Sequence, residues 1–140
     1  MATPFRTTRR IEFVDTDMAG IVHFSNFFRF MESAEVELLR SLGLSVKMQT
    51  EDGESIGFPR VSATCDFLRP ARFQDVIEVS VQLENVGTKS VTWRFEFSKE
   101  GEVLARGKVS AVCCRVLAEH RLESIEIPAA IRAKLEALRP

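Results

Sequence analysis

Two carboxylates, Asp15 and Asp17, lie in the glycine-containing segment DTDMAGIVH, directly before a stretch with helical spacing. That arrangement suits chemistry on a carbonyl. The first turn of a helix offers backbone N–H groups without intrahelical partners, together with the positive end of the helix dipole. A carbonyl held there is polarised, and an oxyanion developing on it is stabilised. A carboxylate within reach can attack that carbonyl or take a proton from water. The plain alternative is that both aspartates only close a turn or cap a helix. His23 can line such a site or pack beside it, and Asn26 can make a polar contact there or cap the helix.

Other nucleophiles are poorly placed. No GxSxG occurs, and two histidines, His23 and His120, leave little choice of base for a serine. Cys65, Cys113 and Cys114 lie in apolar strand contexts, where the thiolate is disfavoured. Neighbours in a strand point to opposite faces, so Cys113 and Cys114 are not expected to share a metal. No CxxC pair occurs, and neither a metal nor a redox cofactor is expected. Glu35 falls within an apolar helical stripe and Glu32 at its edge. A carboxylate on a buried face needs a partner or a function, and a bond to a neighbouring strand or across a subunit interface would satisfy it.

The elements that must position these residues follow from periodicity. Residues 5–14 read as a first strand, and 15–23 break the pattern. A helix is predicted from Phe24 to Leu42, with Phe24, Phe27, Phe28, Met31, Ala34, Leu38, Leu39 and Leu42 on one stripe. Ser25 or Asn26 is placed to cap its start, and Gly43 to stop it. Residues 45–57 read as a loop. Four strands follow, at 61–68, 76–84, 90–98 and 103–117, with hairpin turns at Gly87 and Gly101. IPAAIRAKLEALR reads as a short C-terminal helix with Pro128 near its first turn. The order predicts an α+β domain, one antiparallel sheet wrapped around the Phe-rich helix. The sheet's other face is then solvated or covered by a partner subunit.

The chain's 140 residues make one domain, 1–140. Nineteen basic residues against twenty acidic ones give a net charge of −1, which argues against nucleic-acid binding but allows a local basic patch. No run of about 18 apolar residues exists to span a membrane, and MATPFRTTRR lacks the apolar stretch of a secretory signal. A cytoplasmic location is expected.

Residues 15–22, Asp-Thr-Asp-Met-Ala-Gly-Ile-Val, resemble the loop that opens the central helix in hotdog-fold thioesterases of the 4-hydroxybenzoyl-CoA thioesterase type. Phe67, Pro70, Ala71 and Asp75 in FLRPARFQDVIEV resemble that family's second block. The resemblance implies a five-stranded antiparallel sheet around a long central helix, and hydrolysis of an acyl-CoA thioester to free acid and CoA. It implies that Asp17 acts as nucleophile or general base, that Asp15 shapes the loop, and that the Phe24 amide polarises the thioester carbonyl. Phe24 stands where some relatives carry Tyr or His. Another branch of the fold uses a carboxylate from the central helix, which makes Glu32 or Glu35 a rival to Asp17. Lys89 and Ser90 match the place where relatives bring basic residues to the nucleotide, with Arg60, Arg69, Arg72 and Arg106 as further possibilities. Pro59, Val61, Ser62 and Thr64 match residues that face the partner subunit's site. Ser62 and Thr64 share a face by alternation, so either can orient a water. The resemblance implies a homodimer assembling to a homotetramer. Phe13, Phe24, Phe27, Phe28 and Phe58 would suit an aryl or medium aliphatic acyl group, or only core packing. An acyl-carrier-protein thioesterase and a non-catalytic acyl-ligand-binding module are the alternative functions.

Overall fold

The computed structural model describes residues 4–139, so the ends of the expected 1–140 domain lie outside the described residues. Strand β1 (Phe5–Arg10) leads through a 3-10 turn (Phe13–Asp15) to helix α1 (Ser25–Ser41). Short strands β2 (Lys47–Gln49) and β3 (Ser55–Gly57) follow, then β4 (Arg60–Phe67), β5 (Val76–Val86), β6 (Ser90–Lys99) and β7 (Glu102–Val112). The chain ends with β8 (Cys114–Val116), β9 (Leu122–Ser124) and helix α2 (Ala129–Glu136). No described helix is long and apolar enough to cross a membrane.

One antiparallel sheet carries the order β1-β5-β6-β7-β4, and α1 lies across its inner face. Strand alternation supplies that face: Ile77, Val79, Val81 and Leu83 from β5, Val91, Trp93, Phe95 and Phe97 from β6, and Ala105, Val109 and Ala111 from β7 are all buried. They meet Phe27, Phe30, Met31, Ala34, Leu38 and Leu39 of α1, which recur at helical spacing. Gly107 permits a close approach, because a Cβ there would run into the Met31 sulfur and stand 3.2 Å from the Thr64 carbonyl oxygen. The outer face is polar and self-paired: Arg94 and Lys108 both bind Glu84, Arg106 binds Glu96, and Thr92 meets Ser110 at 3.0 Å.

The structure corrects the sequence reading in several places. The first strand stops at Arg10 rather than 14, because the Asp15 carboxylate accepts the Glu12 N–H at 2.8 Å and folds the chain into the 3-10 turn. Residues 45–57 are not all loop. Strands β2 and β3 join β8 and β9 in a second, four-stranded sheet, for which each short strand is too brief to show a period. The run 103–117 divides at Cys113, with β7 in the large sheet and β8 in the small one. On α1, Phe24 is exposed and Phe28 half-buried, while Phe30 takes the core position. Neither Ser25 nor Asn26 caps the helix by side chain, since Phe24 is the N-cap residue and makes no side-chain cap bond.

Candidate active site

Residues 16–22 form a miniature hairpin. Thr16 pairs with Val22, the Asp17 N–H donates to the Ile21 carbonyl at 2.9 Å, and the Gly20 N–H donates to the Asp17 carbonyl at 2.9 Å. Gly20 takes φ +79°, a left-handed conformation that a side chain would strain. The Asp17 carboxylate accepts the Ala19 N–H through Oδ1 at 2.8 Å, which fixes the side chain at the turn while leaving it half-buried.

This hairpin is clamped on both sides. Asp15 is buried, and its carbonyl accepts the His23 N–H at 2.9 Å and the Asn26 side-chain amide at 2.8 Å. Asp15 therefore shapes the loop, while the buried Asn26 spends one of its two amide hydrogens tying the helix start to it. On the other side the Val22 N–H donates to the Ala71 carbonyl at 2.8 Å, and Ile21 pairs with Arg72. The segment Pro70–Asp75 is itself held by Asp75, whose carboxylate accepts the Arg72 N–H and the Lys99 ammonium, each at 2.8 Å. Burial alone would raise the Asp75 carboxyl, but the Lys99 and Arg72 contacts outweigh it and hold the pKa below the usual carboxylate value. The second sequence block thus serves as a buttress for the Asp17 loop.

The Phe24 backbone is already helical, at φ −54° and ψ −34°, so its N–H projects from the end of α1. No described residue accepts a hydrogen bond from it. His23 Nδ1 lies 2.8 Å from the Ser25 hydroxyl and accepts the Ser25 N–H at 3.3 Å, while its ring packs on Phe24 with centroids 4.7 Å apart. The exposed Phe24 ring stands edge-on to Phe67 at 6.2 Å, and Phe13 faces Phe73 at 6.1 Å. Exposed aromatic rings thus form a partly apolar rim over the segments that lead into α1, where the Phe24 N–H is free. Phe67 and Phe73 belong to that rim although spacing gave no reason to choose them.

The remaining residues expected at the site are elsewhere in the chain. The Asp17 loop abuts the Val76 end of β5, and Lys89 and Ser90 follow its other end. Those ends are the two ends of an eleven-residue strand, about 33 Å apart at the usual rise. Pro59 lies with Lys89, since the Val112 N–H donates to the Pro59 carbonyl at 3.1 Å and the Cys113 N–H to the Lys89 carbonyl at 2.7 Å. Lys89 reaches the Ser124 hydroxyl at 3.5 Å. Ser62 and Thr64 do share a face, but their β7 partners Ser110 and Lys108 put it on the outside of the sheet, away from α1. Phe58 is buried at the Pro59 end and Phe27 in the core, so the five phenylalanines do not line one pocket within the chain.

Glu35 is buried, at 2% exposure, with the Arg60 guanidinium 2.9 Å from its Oε2. Glu32 is exposed. Burial pushes the Cys65 and Cys113 thiols up to about 11, which removes both as ready nucleophiles.

Comparison with known proteins identifies the family. Residues 11–135 match the family described as "Thioesterase-like superfamily". A 1,4-dihydroxy-2-naphthoyl-CoA hydrolase of Nostoc punctiforme is 30% identical over 109 residues, 78% of this chain and 73% of its own length. An acyl-CoA thioester hydrolase of Escherichia coli is 30% identical over 112 residues, 79% of this chain and 82% of its own. The crystal structure of a 1,4-dihydroxy-2-naphthoyl-CoA thioesterase from Synechocystis superposes with a TM-score of 0.83 at 26% identity, covering 99% of this chain and 100% of that one.

Proposed function

The chain belongs to the thioesterase-like superfamily and is a thioester hydrolase, and from that premise we propose that Asp17 and the Phe24 amide act together on the carbonyl of an acyl-CoA. The Asp17 carboxylate attacks the thioester carbon or takes a proton from the water that does. The Phe24 N–H and the helix end receive the oxyanion. On the general-base path, collapse of the tetrahedral species expels the CoA sulfur, which takes the proton that Asp17 accepted from water, and the acyl group leaves as the acid. On the nucleophilic path, loss of the sulfur with a proton from solvent leaves an acyl–Asp17 anhydride, and water then cleaves that anhydride to the acid and free Asp17. One observation carries this reading: the clamped loop fixes a half-buried carboxylate and leads directly into a helix whose first N–H no described residue uses.

The working unit of this proposal is a homodimer paired through β4. That strand is the sheet's edge, with Val61, Ser62, Ala63 and Thr64 exposed, and such an edge invites pairing with a second strand. Its Phe67 end touches the Asp17 side through Phe24 and Phe27, and its Arg60 end adjoins Pro59 and Lys89. Antiparallel pairing about a two-fold axis sets the Arg60 end of one protomer beside the Phe67 end of its partner. Pro59, Lys89 and Ser90 then serve the partner's Asp17, with Lys89 toward the phosphates of CoA. His23 lines the same cleft. Ser62 and Thr64 face away and take no part. A homotetramer adds contacts without adding a site residue. Three free cysteines suit a reducing compartment and support a cytoplasmic setting.

The test is thiol release from a panel of aromatic and aliphatic acyl-CoA thioesters, with an acyl-carrier-protein thioester beside them. Turnover of a CoA thioester, with the aromatic members leading because of the Phe24–Phe67 rim, is the expected result. Turnover of the carrier-protein thioester alone would replace the proposed substrate class.

A further inference from the structure

Glu35 and Arg60 form an ion pair that the reaction does not use, and its placement depends on an irregularity in β4. Ser62, Thr64 and Asp66 pair with Ser110, Lys108 and Arg106 on the outer face, so strict alternation would send Arg60 outward too. Instead the β4–β7 register shifts between Arg60 and Ser62, and Arg60 pairs with Ala111, a residue of the inner face. The extra residue is Val61, which is exposed. A bulge of this kind re-aims a side chain, and here it turns Arg60 onto α1, where the guanidinium meets Glu35 at 2.9 Å. Glu35 is 2% exposed, and among the described residues its Oε1 has no hydrogen-bond partner. It lines a cavity of about 20 Å³ with Leu39, Phe58, Trp93 and Leu135. That is room for about one water and none for an acyl chain.

We propose that Glu35 and Arg60 are positioning residues: their pairing selects the bulged register of β4 and so places the Phe58–Pro59 end that completes the partner's Asp17 site. The proposal rests on the dimeric thioesterase reading above. A carboxylate buried on α1 without its cation is costly, and a one-residue slip that removes the bulge would carry Arg60 to the outer face and leave Glu35 alone. The pair thus penalises the regular register, and Pro59, next in the chain, moves with whichever register is adopted. Arg60 is the only cation facing Glu35 among the residues of the pair and cavity, and Glu32, one turn back, is the nearest like charge.

The test compares wild type with E35Q, R60Q and the exchanged pair E35R/R60E, reading KM, kcat and amide hydrogen exchange over residues 58–62. Displacing the end that binds CoA weakens binding alike in ground and transition states, so E35Q and R60Q are expected to raise KM about tenfold with kcat within about twofold. Exchange should quicken in that segment, and E35R/R60E should recover much of both effects. R60Q keeps the test available if E35Q folds poorly, since Arg60 is the more exposed partner. A variant that loses thermal stability yet keeps KM and the exchange rates of 58–62 would overturn the proposal, because a mere strut lowers the folded fraction and not the affinity. If wild type hydrolyses no thioester, the functional reading fails, and exchange in 58–62 still decides whether the pair holds the register.

Discussion

At the scale of single residues, Asp17 and Asp15 show how two similar side chains acquire different work. Asp15 is buried, and its carboxylate is consumed by the Glu12 N–H while its carbonyl holds His23 and Asn26. Asp17 spends one oxygen on the Ala19 N–H and stays half-open. Because Asn also accepts that turn bond, D17N removes the charge and spares the loop. We expect D17N to lose turnover by about a hundredfold or more, the scale of a removed acid–base group, with circular dichroism and melting temperature unchanged. Turnover retained in D17N would remove Asp17 from the mechanism. The two carboxylates were legible as residue types in a loop before a helix start, which is a local pattern, whereas the division of roles between them came from the family resemblance. The bond from Asn26 back to Asp15 was not legible, because it joins residues eleven apart around a loop whose course no periodicity reports. Phe24 was singled out through its backbone by the family resemblance, and its ring was misread, because the stripe assigned it to the core and the fold leaves it exposed.

At the scale of elements, the site depends on how closely α1 sits on the sheet and how firmly the Pro70–Asp75 turn braces the loop. Gly107 sets the first. G107A places a methyl against the Met31 sulfur and the Thr64 carbonyl, and overpacking of this kind costs about 1–3 kcal/mol. The expected result is a lower denaturant midpoint with an unchanged slope, partly recovered in G107A/M31A, where the sulfur is gone. Asp75 sets the second. Its folded pKa lies below the ordinary value, so its contribution is present above the unfolded pKa and is lost as pH falls through the folded one. Unfolding measured from pH 7 down to pH 2 should therefore show wild type losing an advantage over D75N below about pH 4. At neutral pH that advantage is about 1 kcal/mol, the scale of a hydrogen bond in a partly exposed pair. An advantage independent of pH would mean that the carboxylate charge does nothing there. The helices and the four long strands were readable because each runs for several periods. The second sheet was not, because three-residue strands carry less than two full alternations. The β4 bulge was unreadable for another reason: the alternation continues on both sides of Val61, and only the pairing with β7 shows the slip.

At the scale of the whole molecule, the sheet separates the groups that the proposed reaction needs. Asp17 and Phe24 stand at one end, and Pro59, Lys89 and Ser90 at the other, with the length of β5 between them. With that length between them these groups are not expected to serve one CoA thioester within a chain, whereas in the proposed pairing across a two-fold axis through β4 they are. That difference can be read by mixing variants. D17N lacks the carboxylate, and K89E reverses a charge at the nucleotide end. Each alone is expected to be weak at sub-saturating substrate. In an equal mixture with free exchange, half the dimers are heterodimers, and each has one site with both Asp17 and Lys89 intact, opposite one site with neither. Activity should therefore return to about a quarter of the wild-type level. If Lys89 served its own chain, every site in the mixture would lack one of the two groups, and mixing would restore nothing. Recovery must also disappear when the mixture is diluted until dimers dissociate, because the intact site exists only while both chains are present.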